Sequence, residues 1–203
     1  MGVAAEMITG ANIMGGNGQH ERVKHDYYAT PPEATEKLLG LHKFRGANIL
    51  EPCAGAGHIA EVLKRHWPEA KITCLDLIDR GYPGTILTDF LAWNDPAAYD
   101  TIITNPPFAL ATEFIYKCMD LLTDGGQLAM FLKIQFLEGV NRAELFDRYP
   151  PKAVYVFRKR ISAWNNGQSI NPDTGRPWLS TVCFAWYVWE KGSRSEPVIR
   201  WID

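Results

Sequence analysis

Strand-like and helix-like runs alternate along most of this chain, and that alternation leaves few folds open. Residues 47–51, 71–77, 101–104 and 127–133 read as short apolar strands, and residues 86–90 as the end of another. Between them, residues 58–67 place Ile59, Val62, Leu63 and His66 at helical spacing, until Pro68 stops the run. Residues 111–122 read as a second helix, closed by an Asp124-Gly125-Gly126 turn, and residues 142–148 as a short one. Ahead of these, Thr30 reads as an N-cap, with Pro31 at the first helical position and Glu33 completing a capping box. That helix carries Leu38, Leu39 and Leu41 on its apolar side, and Gly46 ends the segment. Successive parallel strands need a crossover, which a helix supplies. The expectation is a doubly wound, mostly parallel, Rossmann-like α/β sheet of seven strands with helices on both faces. Residues 153–158 and 181–190 are two late strands with no helix between them, which makes one late strand antiparallel.

The tetrapeptide Asn105-Pro106-Pro107-Phe108 follows directly on the run 101–104. Proline lacks the N–H that a ladder needs and fixes φ near −65°, so the strand must stop there. An amide side chain, a proline carbonyl and an aromatic ring are thereby held together at the sheet edge. Two acceptor oxygens can take both hydrogens of one NH2 group, and a ring offers a stacking face. That suits a planar amine, such as the exocyclic amino group of a nucleobase or a side-chain amide. A proline-rich turn after a strand is the plainer alternative.

The first strand leads into a loop of small residues, Pro52-Cys53-Ala54-Gly55-Ala56-Gly57, and then a helix. Gly55 and Gly57 carry no Cβ, so a ligand can approach the backbone closely. Asp76 lies 19 residues after Gly57, at the end of the next strand, where a carboxylate can accept both hydroxyls of a ribose. Ala60 stands where a dinucleotide loop would have its third glycine, and no Gly-Lys-[Ser/Thr] follows, so neither a dinucleotide nor a triphosphate is indicated.

In this order the motifs resemble those of S-adenosylmethionine-dependent amino-group methyltransferases. The chain is most similar to adenine-N6 DNA methyltransferases of the small phage and prophage type. Glu51-Pro52-Cys53-Ala54-Gly55-Ala56-Gly57 resembles the family's cofactor loop, and Asn105-Pro106-Pro107-Phe108 its catalytic [D/N/S]-P-P-[Y/F]. Tyr28-Ala29-Thr30-Pro31-Pro32 is similar to its threonine–proline segment, and Ala185-Trp186-Tyr187-Val188-Trp189-Glu190-Lys191-Gly192 to a late strand of phage members. The likeness covers roughly residues 26–200 and implies one class I methyltransferase domain over residues 26–203.

The resemblance also implies roles. Glu51, Pro52, Ala54, Gly55 and Gly57 would line S-adenosyl-L-methionine, whose product is S-adenosyl-L-homocysteine. Asp76 would bind its ribose, and Asp89 would accept from its adenine amino group with Phe90 nearby. Tyr28 and Thr30 would hold its methionine end. Asn105, Pro106, Pro107 and Phe108 would be catalytic: the Asn105 side-chain oxygen and the Pro106 carbonyl accept from the target amine while Phe108 stacks on the base. No general base is identified, and a duplex substrate requires base flipping. Cytosine-C5 chemistry needs a nucleophilic cysteine, and the Pro52-Cys53 pair lies inside the cofactor loop. Many DNA enzymes have aspartate at the position of Asn105. Asparagine also occurs in RNA base and protein glutamine methyltransferases, which are therefore the alternatives on the same core. A non-catalytic nucleic-acid-binding module is an alternative of another class.

Charge and the late loop bear on the partner. The net charge of −2 divides unevenly: residues 141–203 hold ten Lys/Arg against six Asp/Glu, +4, and the remainder eleven against seventeen, −6. Arg158-Lys159-Arg160 is the densest basic cluster. The stretch of residues 161–180 carries Trp164, Asn165, Asn166, Gln168, Arg176 and Trp178, which suits stacking and hydrogen bonding to nucleic acid. A solvated strand end and an ordinary packed loop are the bland counterparts. DNA is expected over RNA as the partner, with short or weak sequence preference, since little chain remains to read one. The four cysteines, Cys53, Cys74, Cys118 and Cys183, are scattered, so neither a metal site nor a disulfide framework is expected. Residues 1–25 read as a Gly/Asn-rich flexible arm without a signal-like apolar run, and the longest apolar runs elsewhere are too short for a bilayer, so a cytoplasmic protein is expected.

Overall fold

The computed structural model describes residues 27–96 and 98–203; the arm expected over residues 1–25 lies outside the described residues. The central sheet has eight strands: β2 (Asn48–Glu51), β3 (Lys71–Asp76), β4 (Ile86–Leu87), β5 (Tyr99–Thr104), β6 (Leu122–Lys133), β7 (Ala153–Phe157), β11 (Phe184–Glu190) and β12 (Val198–Ile202). Their order is β12-β7-β11-β6-β5-β2-β3-β4. Five of the seven pairings are parallel, and β11 runs antiparallel to both β6 and β7. This is the expected doubly wound α/β sheet with its late antiparallel strand. The eighth strand, β12, escaped the sequence because Val198, Ile199, Arg200 and Trp201 are all exposed along an edge, so no alternating pattern marks it.

Helices α1 (Pro32–Leu41) and α2 (His58–His66) cover one face, where Leu38, Ile59, Val62 and Leu63 meet Ile49, Ile103, Phe131 and Trp186. Helices α3 (Ala111–Leu121) and α4 (Ala143–Arg148) cover the other, where Phe114, Ile115 and Leu145 meet Leu50, Ile102, Leu128, Met130 and Trp189. Residues 128–132 of β6 are buried throughout because both faces are covered, which is why that strand reads as a continuous apolar run. Trp186 and Trp189 are fully buried, and their indole N–H groups donate to the carbonyls of Ala34 and Tyr149, both at 3.0 Å. Satisfied indoles of this size anchor a core; truncation to alanine at such sites costs about 3–5 kcal/mol.

Several local expectations are corrected. Helix α1 begins at Pro32, and Thr30 is not its N-cap: Pro31 holds that place, with no side-chain cap bond. A residue before proline is driven out of the helical region, so Pro31 is extended (φ −55°, ψ 134°) and the helix cannot start sooner. Leu41 is 54% exposed at the helix end, and His66 is exposed, edge-on to Trp67. The Asp124-Gly125-Gly126 turn lies inside β6, where the register against β5 shifts between Tyr99 and Thr101. The strand at residues 86–90 shrinks to Ile86–Leu87. The long loop has structure of its own: β8 (Trp164–Asn165) pairs antiparallel with β1 (Tyr28–Ala29), and β9 (Ile170–Asn171) pairs with β10 (Arg176–Pro177). Among the described residues no helix is long and apolar enough to cross a membrane.

The parallel strands direct the loops after β2, β3, β5, β6 and β7 to one edge, where ligands of open α/β sheets bind. The opposite edge is closed by a polar network. His42 Nδ1 bonds the Tyr155 hydroxyl at 2.7 Å, and Gln127 Nε2 lies 3.2 Å from His42 Nε2 and donates to Glu190 at 3.1 Å. Lys152 completes it with an ion pair to Glu190 at 2.6 Å.

Candidate active site

The loop after β2 turns through Gly55 (φ 55°) and Gly57 (φ 83°), conformations that glycine adopts without strain. The close approach expected of a ligand is made here by the chain itself. A Cβ on Gly55 would fall 2.4 Å from the Tyr27 ring, and one on Gly57 2.1 Å from the Tyr82 ring. The Tyr27 hydroxyl accepts from the Ala56 N–H at 2.9 Å and bonds His58 Nδ1 at 3.1 Å. Burial is the main cause of its raised pKa. The charges of Glu51 and Asp76 also raise it, while the Ala56 bond and Arg80, stacked 4.5 Å from the ring centroid, oppose. Tyr27, Tyr82 and His58 carried no motif in the sequence.

Asp76 ties two loops together. One carboxylate oxygen accepts from the Gly55 N–H at 2.7 Å and the other from the Ile78 N–H at 3.0 Å. Each oxygen keeps a further lone pair for a ligand hydroxyl. Leu87 sits opposite Asp76 in the β3–β4 register, and both Leu77 and Leu87 are exposed, giving the carboxylate an apolar border. Two buried groups at the ends of β1 and β2 lack partners: the Thr30 hydroxyl (2% exposed) and Oε2 of Glu51 (1% exposed). Burial, and then the neighbouring Asp76 charge, push the Glu51 carboxyl well above the usual carboxylate range. Pro52 and Ala54 are buried in the same loop. Asp89 is exposed and its side chain accepts from the Leu91 N–H at 2.9 Å, an Asx turn after β4. Phe90 is 3% exposed and packs on Phe114 with centroids 4.8 Å apart, so its ring belongs to the core.

Asn105 stands at the end of β5, half-buried, and its Nδ2 donates to the Tyr28 carbonyl at 2.7 Å. Pro106 is buried, and Pro107 is exposed and opens a 3-10 turn over Phe108–Leu110. The half-buried Phe108 ring lies 5.9 Å from Phe184, and Lys133 Nζ lies 5.1 Å from its centroid. Lys133, last residue of β6, thus joins the site, a placement that only the topology reveals. Burial pushes the Cys53 thiol far above its ordinary pKa.

The late loop folds back onto the glycine loop. The Tyr27 carbonyl accepts from the Asn166 N–H at 2.7 Å, with Asn166 left-handed (φ 50°), and a Cβ on Gly167 would fall 3.2 Å from His58. Trp164 is half-buried in β8, edge-on to His58 at 5.5 Å, and the Trp178 indole N–H donates to the Gln168 carbonyl at 2.7 Å. The Trp164 ring thus meets His58, while the Trp178 bond engages only its indole N–H. Burial holds the His58 imidazole below its ordinary pKa, against the bond to the Gly167 backbone. Arg158, Lys159, Arg160 and Arg176 are exposed. Arg158 is partly offset by Asp203 at 2.9 Å, and Arg160 donates to the Ser180 carbonyl at 3.1 Å.

No protein-family model matches the chain. It is 26% identical over 145 residues to the type II methyltransferase M.CvrRI of Paramecium bursaria Chlorella virus XZ-6E, an alignment covering 58% of this chain and 38% of that relative's length. A type I restriction-modification system methyltransferase subunit from Streptococcus thermophilus superposes with a TM-score of 0.63 at 15% identity, covering 88% of this chain and 48% of that one. A predicted O-methyltransferase from Agrobacterium tumefaciens gives 0.59 at 16%, covering 85% and 86%. The chain has the Rossmann-like α/β fold of these proteins.

Proposed function

We propose that this chain transfers a methyl group from S-adenosyl-L-methionine to the exocyclic N6 amino group of adenine in DNA. One observation carries the reading: Asn105-Pro106-Pro107-Phe108, directly after β5, shares a sheet edge with the glycine loop that follows β2, the immediate neighbour of β5, and with Asp76 at the end of β3. The likeness to a viral type II methyltransferase supports it.

The residues fit the cofactor. Asp76 has acceptor capacity left for ribose hydroxyls. The unpartnered Thr30 hydroxyl and Glu51 Oε2 are buried polar atoms of the kind that a bound amino-acid zwitterion satisfies. An ammonium beside Glu51 would favour its ionised form and oppose the burial that raises its pKa. S-adenosyl-L-methionine supplies a methyl group on a sulfonium, which leaves without activation. The chain's task is the amine, whose lone pair is drawn into the ring. Asn105 Oδ1 and the Pro106 carbonyl accept its two N–H groups and favour a tetrahedral nitrogen. Phe108 stacks on the base and aims the lone pair. S-adenosyl-L-homocysteine leaves and the methylated nitrogen sheds its extra proton to solvent, so the chain's part is positioning and preorganised electrostatics.

The test is methylation of adenine-containing duplex DNA with tritiated S-adenosyl-L-methionine, followed by nucleoside mass spectrometry. N6-methyldeoxyadenosine is expected. Label appearing in RNA or protein but not DNA, or no transfer at all, would sink the reading.

A further inference from the structure

The bond on Asn105 decides which end of its amide meets the substrate. A carbonyl can only accept, so the end lying 2.7 Å from the Tyr28 oxygen must be the NH2, and Oδ1 must be turned away from it. The Tyr28 carbonyl is itself held. Tyr28 pairs antiparallel with Asn165, and the preceding Tyr27 carbonyl takes the Asn166 N–H. An aspartate at this position would set a carboxylate oxygen against that carbonyl, two acceptors with no proton between them, an arrangement that costs free energy in a partly buried site.

We propose that the Tyr28 carbonyl is the positioning group that presents the Asn105 oxygen to the substrate amine, and that asparagine rather than aspartate works in this chain for that reason. The inference rests on the methyl-transfer reading for the identity of the amine. It adds a coupling: the sole strand partner of β1 among the described residues is β8. The docked loop of residues 161–180 therefore helps hold the carbonyl that orients the acceptor.

The variant Asn105→Asp tests it through pH. Its protonated carboxyl can donate to the Tyr28 carbonyl and offer its C=O to the amine, as the amide does; its ionised form cannot. At pH 8 we expect transfer about 10- to 100-fold slower than wild type. The gap should narrow as pH falls toward ~5.5, where a carboxyl of raised pKa regains its proton, while Asn105→Ala stays inactive throughout. A second readout needs no substrate: in 15N-edited NMR, one Asn105 side-chain N–H should be displaced and slow to exchange. An Asn105→Asp enzyme that matches wild type at pH 8, or whose pH profile parallels it, overturns the proposal. So does an Asn105 amide whose two protons exchange as freely as those of an exposed asparagine. If wild type fails to methylate DNA yet the N–H is protected, the function falls and the positioning stands.

Discussion

The two edges of the sheet treat buried polar groups in opposite ways. At the edge away from the glycine loop, His42, Tyr155, Gln127, Glu190 and Lys152 bond one another in a continuous network. At the reactive edge, the Thr30 hydroxyl, Glu51 Oε2 and Asn165 Oδ1 are buried without partners. Asn48 Oδ1 is the counterexample at the closed edge, though its amide N–H donates to the Ala98 carbonyl at 2.7 Å. A buried polar group without a bond costs about 1–3 kcal/mol. Folding has settled one edge and left the other for something else to complete.

The sharpest way to break this contrast is Asn105→Ala. It should lower methyl transfer by about 100-fold or more, as loss of a preorganised polar partner does elsewhere, while titration calorimetry still shows cofactor binding. Retained transfer would make the reactive edge ordinary. Next, Asp76→Ala removes the acceptor that ties two loops together and that the proposed function assigns to the ribose, and should weaken cofactor binding by about 10- to 100-fold in the same calorimeter.

At the closed edge, acid is the probe. Burial first, then Lys152 and Arg200, lower the His42 pKa to about 4, against the opposing pull of Glu190. The unfolded chain therefore binds the proton at higher pH than the native one. Stability is lost as pH falls from about 6.5 toward 4, by on the order of 1–3 kcal/mol. His42→Gln should flatten that window in thermal melts taken from pH 7 to 4; an unchanged slope would place the acid sensitivity elsewhere. The smallest effect sharpens the comparison most. Thr30→Val deletes an unpartnered hydroxyl, so it should leave the melting temperature unchanged or raise it by the equivalent of under about 1 kcal/mol, yet weaken cofactor binding. A clear loss of stability would mean that the hydroxyl already has a partner.

Much of the reactive edge was legible because its residues are locally dictated. Two prolines must end β5, glycines must fill the left-handed loop positions, and Asp76 must close a strand. What could not be read is what the topology brings from afar. Tyr27 over Gly55, Lys133 beside Phe108, and Asn166 on the Tyr27 carbonyl join segments that no periodicity relates. The capping box at Thr30 failed for a local reason that was visible: a second proline forbids the helix from starting at the first. Nor does composition show that the Trp164 ring already meets His58.

Strand β12 runs parallel to β7, and its last residues lie beside Arg158, while β1 enters next to Asn105. Both ends of the described chain therefore emerge on the reactive side. A surface tether or bulky group attached at Asp203 would crowd that side. The turn at residues 191–197 points the other way, and an attachment there would leave the approach clear. Orientation on a sensor chip is thus set by the direction in which one edge strand runs.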